Sequence, residues 1–175
     1  MFIYFQRPEN GDFSGETMKR KLVVCDPKKC LGCFLCEFAC SSKKERSMDP
    51  LLSRIRTVNL EPRGSMAITC LLCEDPTCIR SCPRNALNRS EETGVVVVDE
   101  SKCVGCSWCL ISCPFGAINP HPTKRIVTIC DLCEGTPVCV DACPFEALKF
   151  TSVEEIADIS RKNALEKLLE NLGGA

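Results

Sequence analysis

Lys102-Cys103-Val104-Gly105-Cys106-Ser107-Trp108-Cys109-Leu110-Ile111-Ser112-Cys113-Pro114 sets four cysteines at the spacing C-x2-C-x2-C-x3-C and closes on proline. With two residues between them, three successive thiolates can wrap three corners of a cube. The fourth is expected on the short helix that follows, pointing away; a [4Fe–4S] cluster takes four such thiolates. Gly105 lies inside the loop, where the backbone must approach the cluster closely. Upstream, Cys30, Cys33, Cys36 and Cys40 repeat this spacing around Gly32. Cys70, Cys73, Cys78 and Cys82 stretch it to C-x2-C-x4-C-x3-C, and Cys130, Cys133, Cys139 and Cys143 to C-x2-C-x5-C-x3-C. The added residues, around Asp75-Pro76 and Gly135-Thr136-Pro137, are turn formers that lengthen the loop and leave the ligands alone. Sixteen of the seventeen cysteines are thereby read as iron ligands of four [4Fe–4S] clusters, and Cys25 is left over.

The groups are copies. The stretch from Val24 to Cys33 aligns with that from Val97 to Cys106 at an offset of 73, and Thr69 to Glu74 aligns with Ile129 to Glu134 at an offset of 60. The order along the chain is therefore A, B, A′, B′, an internal repeat. Cys25 falls opposite Val98 in this alignment, which marks it as a buried free thiol acting as a small hydrophobe.

Composition narrows the class. A chain of 175 residues has room for one domain or two small halves. Cysteine at about a tenth of the residues would mean disulfides in a small secreted protein. Against that, residues 1–21 carry no signal-peptide pattern, and the cysteines sit two or three residues apart in groups of cluster size. Zinc sites pair two C-x2-C knuckles across a longer loop, which these groups do not. The formal charge is −1 with every cysteine neutral. Four loaded clusters bring it to about −9, which speaks against a nucleic-acid partner. No apolar run is long enough to span a membrane and no twin-arginine leader is visible, so a cytoplasmic location is expected.

Regular structure is expected to be sparse. Short strands are placed at 22–25 and 95–98, each running into an Asp and then a cysteine loop. Cys82-Pro83, Cys113-Pro114 and Cys143-Pro144 are each expected to start a brief turn of helix that leads, through Leu87, Ile118 or Leu148, back into a strand. The cysteine-free insert at 41–66 holds a candidate edge strand at 54–60. Residues 153–172 read as a helix with Ile156, Ala157, Ala164, Leu165, Leu168, Leu169 and Leu172 on one face, ended by Gly173-Gly174. That face is expected to dock on the chain's own core, with a partner subunit as the alternative.

These cysteine groups, three of them ending in Cys-Pro, resemble the four-cluster iron–sulfur subunits of the dimethyl-sulfoxide-reductase type over residues 21–150. The resemblance implies an α+β fold of two tandem, interleaved ferredoxin-like modules with a C-terminal helix. Module one takes 21–41 and 128–150, module two takes 67–120, 1–20 is a tail with Met18 as a plausible start, and 151–175 is a docking helix. It also implies a crossed partition of ligands: Cys30, Cys33 and Cys36 with Cys143; Cys40 with Cys130, Cys133 and Cys139; Cys70, Cys73 and Cys78 with Cys113; and Cys82 with Cys103, Cys106 and Cys109. Two departures stand out: the connection from Cys113 to Cys130 is short, and group one ends in Cys40-Ser41. The compact form looks more like the small subunits serving tungsten enzymes of the aldehyde ferredoxin oxidoreductase family, including the ATP-independent (class II) benzoyl-CoA reductase.

The expected role is a non-catalytic electron-transfer subunit of an anaerobic oxidoreductase complex. It would relay single electrons between a larger catalytic subunit, with a tungsten or molybdenum cofactor, and ferredoxin or a further redox subunit. Alternatives are a free polyferredoxin, a subunit of a hydrogenase or carbon monoxide dehydrogenase complex, and a regulatory or structural iron–sulfur protein. No Ser/His/Asp set, phosphate loop or dinucleotide fingerprint is visible. His121 is expected in an exposed turn, Trp108 and Phe34 as apolar shields of a cluster, and Lys43, Lys44, Arg46, Arg54 and Arg56 as a solvated basic face.

Overall fold

The computed structural model describes residues 20–62 and 64–172. The chain is a mixed α/β protein of short elements. They run β1 (Lys21–Cys25), α1 (Leu35–Glu45), β2 (Arg56–Asn59), β3 (Ser65–Ile68), α2 (Thr77–Arg80), β4 (Leu87–Arg89), β5 (Val96–Val98), α3 (Trp108–Ser112), β6 (Ile118–Pro120), β7 (Val127–Ile129), α4 (Val138–Asp141), β8 (Leu148–Ser152) and α5 (Val153–Leu172). The strands pair into antiparallel ribbons of two: β1 with β8, β2 with β3, β4 with β5 and β6 with β7. The strands are short, and β-branched residues dominate only β5 and β7.

The pairing follows the repeat. β2–β3 and β6–β7 are local ribbons, each ending just before the next cysteine group. β4 and β5 meet at the junction of the two copies, with Leu87 opposite Val98. Their counterparts β8 and β1 lie at opposite ends of the cysteine-bearing chain and still pair, Leu148 opposite Cys25 and Phe150 opposite Val23. The last strand of the second copy thus closes on the first strand of the chain. Cys25 holds the position that Val98 holds in the other ribbon, as the repeat predicts.

The core has two parts. One gathers Val23, Ile55, Ala67, Leu72, Leu132 and Leu148 with Cys36, Cys40, Cys130 and Cys139. The other gathers Leu87, Val96, Ile118, Val127 and Ile129 with Cys109, and half-buried Cys70 packs against both. Cysteine sulfurs fill much of both parts.

Two expectations about helices are corrected. Cys-Pro opens a turn, not a helix: Asn85, Gly116 and Glu146, each third after its cysteine, take positive φ and lead into β4, β6 and β8. The brief helices α2, α3 and α4 come before those cysteines and carry the third member of each group, Cys78, Cys109 and Cys139. Proline is found where the backbone N–H has no helical partner to lose. Among the fourth cysteines of the groups only Cys40 sits within a helix, because α1 continues to Glu45 in the absence of Cys-Pro.

α5 has the expected bounds, and its start is a capping box: Glu155 N–H donates to Ser152 Oγ at 3.3 Å, and Ser152 N–H donates back to a Glu155 oxygen at 3.2 Å. Docking on the core does not follow. Ile159, Leu165, Leu168 and Leu169 are exposed, and its packing among the described residues is on the adjoining β8. The 1–19 tail and Gly173-Gly174 lie outside the described residues.

Candidate iron–sulfur sites

Each A-type loop is shaped by one glycine and one left-handed residue. Gly32 and Gly105 have φ of +69° and +64°. A Cβ on Gly32 would meet Asn59 Oδ1 at 2.5 Å and Ser65 Oγ at 2.6 Å, and one on Gly105 would meet the Arg125 carbonyl at 3.0 Å. The close approach is therefore to the following ribbon, to its side chains at Gly32 and its backbone at Gly105. Phe34 and Ser107, again 73 apart, are left-handed just before α1 and α3. The B-type loops turn instead at Leu72 and Leu132, both at positive φ.

These loops bring thiols together across the chain. Cys30, Cys33, Cys36 and Cys143 line one void. Cys70, Cys73, Cys78 and Cys113 line a second, and Cys82, Cys103, Cys106 and Cys109 a third. In each, three cysteines come from one group and the fourth from another, because the helix-to-turn geometry swings that fourth thiol away from its own loop. The remaining four meet where α1 packs on α4. Cys40, Cys130 and Cys139 are buried together there, and charge on Cys139 is felt by Cys130, Cys40 and Cys133.

The surroundings suit a caged inorganic cluster. Among the described residues, no three His, Cys, Asp or Glu side chains converge tightly enough to hold one ion. A lone zinc needs its sulfurs about 2.3 Å from a single point, whereas a cubane keeps its thiolates spread at the corners. Backbone N–H groups are aimed at the swung-out sulfurs: Ala86 to Cys82 at 3.3 Å, Ala117 to Cys113 at 3.5 Å and Ala147 to Cys143 at 3.3 Å. Cys40, lacking the Cys-Pro turn, receives the Arg54 N–H at 3.3 Å from the insert instead. Cys36 Sγ pairs with Thr57 Oγ1 at 3.5 Å.

Without metal these sites disfavour thiolate. Burial pushes Cys70 and Cys109 up to about 11 and Cys130 to about 12, and raises Cys139, Cys36, Cys78 and Cys133 as well. A bound iron reverses this, since a coordinating thiol is deprotonated outright. Cys143 runs the other way: burial opposes it, but the N–H groups of Leu148, Ala147, Phe145 and Glu146 outweigh burial and lower it. Cys25, beside Cys30, is raised to about 11 by burial, and its sulfur accepts the Ala67 N–H at 3.3 Å.

Several neighbouring residues stand elsewhere than expected. Trp108 is 63% exposed and lines none of the three voids, while Phe34 does line the first. His121 is buried, not in an exposed turn: its Nδ1 accepts the N–H groups of Thr123 and Lys124 at 3.2 and 3.1 Å. The basic stretch is only partly a solvated face. Lys43 and Arg46 are exposed, but Lys44 and Arg54 both hold Asp131, and Arg56 holds the buried Glu37 at 3.4 Å. Glu37 also accepts the Thr57 N–H at 2.6 Å. Sequence reasoning misses these pairings because solvated charge is the default for a basic run. The signal is there in Asp131, which replaces Leu71 of the other copy.

Cysteine quartets around voids, apolar walls and N–H donors trained on sulfur define an iron–sulfur electron-transfer protein. Residues 65–153, just over half the chain, match the 4Fe-4S dicluster domain, and the chain belongs to that family. It is 44% identical over 125 residues to the aliphatic sulfonate oxidoreductase, polyferredoxin-like subunit, of Pyrococcus furiosus, covering 71% of this chain and 72% of that one. It is 37% identical over 150 residues to a component polypeptide of the anaerobic dimethyl sulfoxide reductase of Escherichia coli, covering 75% of this chain and 73% of that one. Among solved structures it is similar to the active site complex BamBC of benzoyl coenzyme A reductase, at 24% identity and a TM-score of 0.45 over 86% of this chain and 89% of that one.

Proposed function

We propose that the sixteen grouped cysteines ligate four [4Fe–4S] clusters in the crossed partition of the four quartets, and that the chain is the electron-transfer subunit of an oxidoreductase complex. The observation that carries this reading is the crossing itself, in which three voids each take three thiols from one group and one from another. When bound, each cluster takes up and releases a single electron. The residues of the chain space the sites, exclude water with apolar walls and direct N–H groups at sulfur.

On this reading the chain comprises two interleaved ferredoxin-like modules, 21–41 with 128–150 and 67–120, followed by a docking helix at 151–175. A larger catalytic subunit carrying tungsten or molybdenum accepts or supplies electrons at one end, and ferredoxin or another redox subunit does so at the other. The cytoplasm is the proposed location; among the described residues no helix is long and apolar enough to cross a membrane. The exposed apolar face of α5 favours a partner subunit over the chain's own core as what that helix meets.

Anaerobic isolation followed by iron and acid-labile sulfide analysis tests the reading. About sixteen of each per chain are expected, with one-electron reduction of every cluster followed by EPR. Stoichiometric zinc without labile sulfide overturns it, and clusters that stay redox-silent turn it into a structural or sensing role. Purification without any large metal-containing subunit favours the free polyferredoxin.

A further inference from the structure

Asp131 Oδ2 takes two cations, Lys44 Nζ at 2.8 Å and Arg54 Nη1 at 2.7 Å. Its other oxygen accepts the Cys133 N–H at 3.1 Å, and the Arg54 backbone N–H reaches Cys40 Sγ at 3.3 Å. The three side chains therefore stand against a single quartet, Cys40 with Cys130, Cys133 and Cys139. Their exposures are 13%, 23% and 30%, so solvent and salt screen them less than surface charges. Two cations on one carboxylate leave a net charge of one positive unit beside this site.

The repeat supplies an internal control. In the other copy, Leu71 stands where Asp131 does, and Ala117 aligns with Lys44. Arg54 comes from the insert, which has no equivalent in the short connection between Cys113 and Cys130. Nearby, Glu37 and Arg56 form a pair of opposite charges beside Cys36 that adds nothing net. Other sites carry cations of their own: Arg20 and Arg89 donate to the Leu72 carbonyl in the Cys70–Cys73 loop, and Arg84 lines the void of Cys82, Cys103, Cys106 and Cys109.

We propose that Lys44 and Arg54 raise the reduction potential of the centre held by Cys40, Cys130, Cys133 and Cys139, favouring the reduced state there over what the same centre would have without them. This deepens the reading that the quartets hold clusters and rests on it. One electron passes to this site from a neighbouring centre, which is thereby oxidised; no bond forms or breaks. Reduction adds one negative charge, and the residual positive charge favours that state. Removing one cation from a weakly screened site changes the reduced-to-oxidised ratio on the order of tenfold.

An EPR-monitored redox titration of the fully loaded chain tests this. In Lys44→Gln one of the four transitions should move down by about tenfold in that ratio, about 59 mV for one electron. The other three should stay in place. Asp131→Asn should move the same transition up, and Lys44→Arg should leave it unmoved. A lost contact shifts both variants alike, so opposite signs separate charge from structure. Shifts of the same sign, no shift, or movement of all four together overturns the proposal. Should Lys44→Gln fail to load its iron, the direction of the Asp131→Asn shift decides. A wild-type chain that never shows four transitions sinks the cluster reading itself.

Discussion

Gly105 and Cys25 show how single positions serve the cysteine loops. Gly105 combines a left-handed backbone with a carbonyl 3.0 Å from where a Cβ would sit. Gly105→Ala is expected to cost on the order of 1–3 kcal/mol through strained φ and displacement of the Arg125 backbone. Anaerobic thermal unfolding measures that loss, and an unchanged midpoint would contradict it. Cys25 faces the opposite test. It lies beside Cys30 but lines none of the three voids, and it occupies a strand position that is valine in the other copy. Cys25→Val should therefore retain the full iron content, whereas Cys78→Val should abolish the EPR signal of one centre and leave the others. Loss of iron from the Cys25 variant would make it a ligand. Both roles are legible in the sequence, because the repeat supplies a comparison for each. Buried His121 is not, since its burial depends on a turn that folds its Nδ1 onto two backbone N–H groups, a contact without a sequence pattern.

At the scale of elements, the strands beside the cysteine groups are readable because β1 and β5 are largely apolar and Leu87, Ile118 and Leu148 each follow a group's last cysteine at the same spacing. β1, β5 and the strands after Leu87, Ile118 and Leu148 fall where expected. The helical turns are harder to place, because Pro at a first helical position is a sound local rule that competes here with a positive-φ turn two residues on. That turn is what lets Ala86, Ala117 and Ala147 donate to the preceding sulfur. For α5 the sequence pattern yields the correct bounds and the wrong neighbour, since a periodic apolar face says that something covers it and not what. Its capping box makes the start of the helix local to its own sequence. Ser152→Ala should cost about 1 kcal/mol and reduce helicity in far-UV circular dichroism. A variant of unchanged helicity would mean that contacts beyond the cap hold α5. Acid should also loosen the α1 region. Burial opposes ionisation of Asp131, but Lys44 and Arg54 hold its carboxyl below the ordinary range. A depressed pKa contributes stability above the unfolded value of about 3.9 and loses it as pH falls through the folded one.

For the whole molecule, the account depends on the first and last described strands pairing with each other. β8 returns to β1, which brings Cys143 to the loop of Cys30, Cys33 and Cys36, while the α1–α4 contact brings Cys40 to the B′ loop. The middle groups cross in the same way at Cys82 and Cys113. The sixteen proposed ligands are read from the spacing alone. Their partition needs the family resemblance, because spacing fixes which thiols share a loop and not which loops share a void. Charge asymmetry among the sites is hidden at both levels, since it depends on Lys44, Arg54 and Asp131 meeting from three separate stretches. Anomalous diffraction at the iron edge, from crystals of the anaerobically loaded chain, tests the crossing most directly. The account predicts four iron peaks, one within each quartet drawn from two groups. Iron centred among Cys103, Cys106, Cys109 and Cys113, or among any other single group, would contradict it.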